Sequence, residues 1–167
     1  MSYTLEQFAA DCHEALKANS GQPGREKVLS YVKKAITDQA FVAKHLPDGM
    51  EKERNVIYED GELGFVICAH SYEGAKKGTP HDHGPTWAIY GQAIGETEMT
   101  EWKVVEKGEG ARPTKVALDK TYHMKPGDAY LYPEGAVHAP MRERSTRLIR
   151  IEGQNTEKTT RTNIEAA

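Results

Sequence analysis

His81 and His83, in Gly78-Thr79-Pro80-His81-Asp82-His83-Gly84, are the residues whose spacing first suggests chemistry. Side chains of an extended strand alternate, so these two imidazoles share one face, roughly 6–7 Å apart. Two imidazoles at that spacing can converge on one metal ion if the strand bends, and the flanking glycines and proline permit the bend. A third donor would make the pair a site. A candidate stands in Gly127-Asp128-Ala129-Tyr130-Leu131-Tyr132-Pro133-Glu134-Gly135-Ala136-Val137-His138, of the form G-x5-P-x-G-x2-H. That pattern reads as a turn at Pro126-Gly127, a strand, a second turn at Pro133-Glu134-Gly135, and His138 on the strand that follows.

The elements that must position these residues fall into two textures. The first third is helical. Thr4-Leu5-Glu6-Gln7 has the form of a capping box, and Leu5, Phe8, Ala9, Cys12 and Leu16 follow at helical spacing. Pro23 opens a second helix with Val28, Leu29, Val32, Ala35 and Ile36 on one stripe, and Asp38 caps a short third one through Phe41, Val42 and Leu46. From Glu53 onward the chain breaks into short β-branched or aromatic runs: Val56 to Tyr58, Leu63 to His70, Thr86 to Ala93, Thr97 to Val105, Thr121 to Met124, Ala129 to Tyr132 and Arg147 to Ile151. Turn signals separate them. Seven or more strands without intervening helices predict an antiparallel sandwich or barrel. The chain thus reads as one domain, with a helical segment over residues 1–50, a β unit over 51–152 and a polar tail over 153–167.

Composition narrows the function. With 167 residues, 38% hydrophobic and 28% charged, the chain can bury a core as an ordinary globular domain. A net charge of −3 gives no general affinity for nucleic acid or anionic membranes. Cys12 and Cys68, each in an apolar setting, read as reduced buried thiols. No basic start precedes an apolar run, and no stretch approaches a membrane span. The expected location is the cytoplasm.

The H-x-H pair followed by the His138 pattern resembles the two motifs of the cupin superfamily of double-stranded β-helix barrels. The resemblance implies a mainly β, jelly-roll barrel carrying the helical segment, with His81, His83 and His138 binding a metal. In the common first cupin motif a glutamate follows the pair by four or five residues; Trp87 and Ala88 stand there. A site of three neutral imidazoles leaves a divalent charge uncompensated, and such a site favours anionic ligands, thiolates included. Over about three-fifths of the chain, from Glu53 to Glu152, this three-histidine texture resembles the cysteine dioxygenase group of thiol dioxygenases.

The resemblance implies Fe(II), dioxygen as co-substrate and oxidation of a small thiol to a sulfinate. It aligns Arg54 with the arginine that grips a substrate carboxylate. Read from its neighbours alone, Arg54 is a surface charge in the run Glu51-Lys52-Glu53-Arg54. This chain also departs from that group. Ala88 replaces the cysteine of its cysteine–tyrosine crosslink, and Leu148, Arg150 and Glu152 stand near its serine, histidine and tyrosine. Tyr90 would restore a phenol to the pocket or serve as barrel packing, the more ordinary role. His70 and His123 are weaker candidates, Asp82 should point away from the metal, and His13 and His45 read as packing or surface residues. The alternatives are a Zn, Ni or Mn cupin lyase, isomerase or other dioxygenase acting on a small carboxylate, and a metal-binding cupin without turnover. An exposed barrel edge would allow a homodimer.

Overall fold

The computed structural model describes residues 2–167. Its three helices are α1 (Leu5–Ala18), α2 (Gln22–Ile36) and α3 (Gln39–His45). The capping box forms: Gln7 N–H donates to Thr4 Oγ1 at 3.1 Å, and Thr4 N–H donates to the Gln7 side chain at 3.0 Å. Asp38 caps α3 by accepting from Phe41 N–H at 3.0 Å, and its second oxygen accepts from Tyr3 N–H at 2.6 Å. One carboxylate therefore ties the start of the chain to α3. The predicted stripes are the buried ones, Phe8, Cys12 and Leu16 on α1 and Val28, Val32, Ala35 and Ile36 on α2.

Ten strands follow: β1 (Arg54–Glu59), β2 (Val66–Tyr72), β3 (Lys76–Lys77), β4 (Ala88–Ile94), β5 (Thr97–Glu106), β6 (Thr114–Met124), β7 (Ala129–Tyr132), β8 (Val137–Arg142), β9 (Thr146–Glu152) and β10 (Ile164–Ala166). They form two five-stranded sheets, ordered β1-β2-β9-β4-β7 and β10-β6-β5-β8-β3. The chain stays in one sheet only from β1 to β2 and from β5 to β6, and changes sheet at every other connection. Pairing is antiparallel apart from β10 on β6. This is a jelly-roll barrel, which resolves the choice between sandwich and barrel. No helix among the described residues is long and apolar enough to cross a membrane.

The first sheet has two different faces, as period-two alternation requires. Ile67, Ala69, Ile89, Ile149 and Ile151 join the helices in one apolar cluster. Tyr72, Ala88, Tyr90, Tyr132 and Leu148 face inward, where they meet Met99 and Met124 of the second sheet. Trp87 belongs to the helix-side cluster, with the Arg25 guanidinium 5.2 Å over its ring. Arg25 also forks onto Glu134 at 2.6 and 3.0 Å, fastening α2 to the turn before His138.

Two parts of the barrel depart from the sequence reading. β6 begins at Thr114, seven residues before the predicted strand. Its residues Lys115 and Leu118 to Thr121 are exposed on an arm of the β5–β6 hairpin, so they lack the hydrophobic alternation that marks a strand. His81 and His83 are not on a continuous strand. His81 makes an isolated bridge, and Asp82 and His83 lie in the loop before β4.

Helix α2 sits against the first sheet through Gly91, where an added Cβ would stand 2.5 Å from Val32 Cγ1 and 3.1 Å from Ile36 Cγ2. Gly91→Ala should therefore overpack this seat and destabilise the protein by about 1–3 kcal/mol. Urea unfolding tests this: the midpoint should fall while the slope stays unchanged.

Candidate metal centre

A pair of backbone hydrogen bonds builds the site. His81 N–H donates to His138 C=O, and His138 N–H donates to His81 C=O, both at 3.0 Å. This antiparallel bridge sets the two histidines side by side, with ring centroids 4.8 Å apart. His83 is returned to them by the loop. Asp82 turns away, its Oδ1 accepting from Gly84 N–H at 3.0 Å, and Gly84 takes φ +64°, a conformation that favours glycine. The His83 ring then lies 4.9 Å from that of His138 and 5.6 Å from that of His81. One nitrogen from each imidazole lies within 4.8 Å of the other two. The structure thus brings His81, His83 and His138 together.

The electrostatics suit a ligand set. Burial, followed by the charge of Arg150, pulls the His83 imidazole down to about 3. Burial pulls His81 down to about 4, and holds His138 well below the ordinary histidine range. All three are neutral at neutral pH, the form in which imidazole binds metal. His81 Nδ1 lies 2.8 Å from Thr79 C=O. Donation there fixes the tautomer and leaves Nε2 free for a metal. His138 Nδ1 is buried without a hydrogen-bond partner. These donors fit a divalent metal ion.

No family model matches the chain, and no curated protein matches it. Solved structures that it resembles include a cupin-2 domain containing protein from Shewanella frigidimarina NCIMB 400, at 18% identity and TM-score 0.46, covering 66% of this chain and 89% of that one. KdgF from Halomonas sp. is similar at 18% identity and TM-score 0.47, with 62% and 80% covered. The DMSP lyase DddQ from Ruegeria pomeroyi DSS-3 is similar at 17% identity and TM-score 0.47, with 65% and 49% covered. Likenesses of this degree say nothing of activity. The barrel and the triad stand on their own geometry.

Tyr90 points into the triad. Its hydroxyl lies 2.9 Å from His83 Nε2 and 3.2 Å from His138 Nε2, and burial pushes the phenol up to about 12. Tyr132 stacks edge-on against His138 with centroids 4.3 Å apart. Across the β4–β9 ladder Tyr90 faces Arg150, whose guanidinium lies 4.3 Å over the Tyr90 ring. Arg54 donates from Nη2 to Glu152 Oε1 at 2.7 Å and to Asn155 Oδ1 at 3.1 Å, while Nη1 pairs with Glu157 at 2.9 Å. The chain itself supplies the carboxylates held by Arg54. Burial alone would push the Glu152 carboxyl up, but Arg150 and Arg54 outweigh it and hold it below the usual carboxylate range.

His70 and His123 do not join the triad. His70 is buried inside the barrel with Nδ1 2.8 Å from the Tyr72 hydroxyl, and His123 is exposed on β6. His13 bonds Asp60 at 2.7 Å. Cys12 and Cys68 are free and buried.

Sequence reasoning missed the C-terminal segment. Thr162 N–H donates to Asp82 Oδ1 at 3.1 Å, Gly84 packs beneath Thr160 C=O, and Gly153 N–H donates to Trp87 C=O at 3.1 Å. Residues 153–163 thus strap the loop that carries His83 before β10 pairs with β6. The strap also brings the exposed Arg161 close enough for its charge to act on all three imidazoles. Its ties to this loop run through backbone groups, which leave no trace in a hydrophobic pattern.

His138→Ala should abolish tight binding of a divalent metal, measured as metal content after dialysis; retention of one equivalent would refute the ligand assignment. A second expectation concerns pH. His70, His81, His83 and His138 are all lowered, chiefly by burial, from an ordinary value of 6.5. Below that value the unfolded chain binds protons that the folded chain does not, so stability is present above pH 6.5 and falls as the pH drops. Each imidazole contributes up to about 1.4 kcal/mol per pH unit. Urea midpoints of the metal-free protein should fall steeply between pH 7 and pH 5. A flat profile would contradict the neutral, buried state of these rings.

Proposed function

We propose that this protein is a non-haem iron(II) dioxygenase oxidising a small thiol to a sulfinate, with His81, His83 and His138 as the metal ligands. The observation that supports it is a convergent triad of neutral imidazoles with no carboxylate in the set. Bound there, iron(II) would supply the redox chemistry that delivers both atoms of dioxygen to a thiolate sulfur, so that RSH and O2 give RSO2− and one proton. The chain's own contribution is binding, orientation and proton placement.

Tyr90 offers its hydroxyl at the point where His83 and His138 meet. With burial keeping the phenol protonated, it serves as a hydrogen-bond donor to an anionic group bound beside it. Arg54 is proposed to orient a substrate carboxylate. Glu152 holds its Nη2 edge, and Arg54 Nε is buried without a partner, so a substrate would share or displace that carboxylate. The proposed substrate is a small thiol carrying a carboxylate.

The position of Tyr90 also favours a second reading. A phenol in contact with two ligand nitrogens is placed to move a proton, which suits a Zn, Ni or Mn lyase or isomerase acting on a small carboxylate without oxygen.

Oxygen uptake and product analysis with cysteine, 3-mercaptopropionate and cysteamine separate the two. The dioxygenase reading expects uptake by the iron form alone, with one sulfinate per O2, and a loss of about tenfold in Tyr90→Phe, the worth of one charge-assisted hydrogen bond. No uptake with any of the thiols would sink it. Oxygen-independent turnover of a small carboxylate by a zinc, nickel or manganese form, lost about 10²- to 10⁴-fold in Tyr90→Phe, would establish the second reading.

A further inference from the structure

The barrel holds more positive charge than the triad accounts for. Arg142 follows His138 by four residues on β8 and so shares its inward face. It is 3% exposed, yet neither its Nε nor its Nη2 has a hydrogen-bond partner. Its guanidinium lies 4.3 Å over the Tyr72 ring, which is its visible compensation. Among the described residues Arg142 forms no ion pair with a carboxylate, whereas Arg54 and Arg150 both pair with Glu152.

Two further orphans lie on the strands beside Tyr72. Thr146, directly opposite Tyr72 in the β2–β9 register, is 1% exposed and its Oγ1 is unpartnered. His70 precedes Tyr72 by two residues on the same inward face. It is 3% exposed, bonds the Tyr72 hydroxyl through Nδ1, and has no partner at Nε2. Buried polar atoms are ordinarily satisfied, and a buried charge ordinarily has a counter-charge. Four unpartnered atoms on three inward-facing residues around one tyrosine therefore need an explanation.

The chemistry of the orphans names the missing partner. Nε and Nη2 form one edge of a guanidinium, with two parallel N–H bonds spaced to match two oxygens of a carboxylate or sulfonate. A hydroxyl and an imidazole nitrogen beside that edge can complete the hydrogen bonds. Glu152 pairs with Arg54 and Arg150, and Arg142 feels only the charge of Glu53 without pairing with it, so a further negative charge is favoured beside Arg142.

We propose that Arg142, with Thr146 and His70 beside it, forms a binding site for the carboxylate or sulfonate head of a small ligand inside the barrel. The site is separate from Arg54, whose Nη atoms are already engaged. As the place for a substrate's anionic end it is an alternative to Arg54 and rests on the metal-enzyme reading given above, but occupancy by an anion does not require thiol oxidation.

The test uses the full-length, metal-loaded protein with sodium propionate as probe, propionamide as its uncharged counterpart, and sodium chloride as the ionic-strength control. Melting temperature and titration calorimetry are the readouts. Propionate should raise Tm in a saturable way, because a ligand that binds only the folded state stabilises it. Propionamide and chloride should not. Arg142→Met should melt higher than wild type without anion, since it removes a buried unpaired charge. It should also bind propionate about ten- to a hundredfold more weakly. Thr146→Val keeps the guanidinium and the side-chain shape, and should weaken propionate by about fivefold, the value of one hydrogen bond; it keeps the idea testable if Arg142→Met does not fold.

Propionate on the metal is the competing outcome, and His138→Ala distinguishes the two. Stabilisation that persists in His138→Ala supports the arginine site; stabilisation that vanishes there overturns it. Absence of any propionate effect, or wild-type affinity in Arg142→Met or Thr146→Val, also overturns it. Absence of oxygen uptake with every thiol, alongside intact propionate binding, would remove the dioxygenase reading and leave the anion site standing.

Discussion

The candidate site depends on the two reciprocal hydrogen bonds between His81 and His138. The loop from Gly78 to Trp87 belongs to no sheet, and this bridge together with the Gly78 N–H bond to Pro140 C=O at 2.7 Å registers it against β8. Once His81 is fixed, Asp82 is forced to the opposite side, where Gly84 and Thr162 hold its carboxylate. His83 is thereby returned to the triad. A backbone contact on one side of the loop and a carboxylate cap on the other convert two neighbouring histidines into convergent ones.

The same separation of faces organises the whole barrel. On β9, Ile149 and Ile151 pack under the helices while Leu148, Arg150 and Glu152 face inward. Burying ions costs several kcal/mol each before pairing is counted, so the interior is a poor source of net stability. The apolar cluster between the first sheet and α1, α2 and α3 supplies it instead. Gly91 lets α2 approach closely enough to seal that layer. The helical segment can then be understood as what permits a barrel interior of arginine, histidine and tyrosine.

What could be read from the sequence follows from which interactions leave a local signature. The helices were legible because Thr4, Gln7 and Asp38 cap them and their apolar stripes keep a helical period. The G-x5-P-x-G-x2-H spacing anticipated β7, the following turn and the strand bearing His138. The loop conformation of His81 and His83 was not legible, because a two-residue spacing looks the same whether a strand or a capped loop supplies it. The early part of β6 was hidden by the exposed, polar residues of its hairpin arm. Only the family resemblance marks Arg54 as a carboxylate-binding residue; its neighbours read as a surface charge, and nothing local reveals that Glu152, 98 residues away, occupies it. The position of the strap over residues 153–163 was set by long-range backbone contacts that no side-chain pattern announces.

Glu152 also explains why the interior remains electropositive. Its carboxylate accepts from Arg54, from the backbone and hydroxyl of Thr156, and at 3.5 Å from Arg150. One negative charge thus serves two guanidinium groups and anchors the start of the C-terminal strap. It cannot also neutralise Arg142, which lies on the other sheet near Tyr72. The three histidines add no charge of their own, because burial keeps them neutral, and a bound divalent cation would add two more positive charges. Field lines from these groups run into a low-dielectric barrel where water screens them poorly. An interior built this way favours a small anion over a neutral or cationic molecule, whatever the role of the candidate metal site.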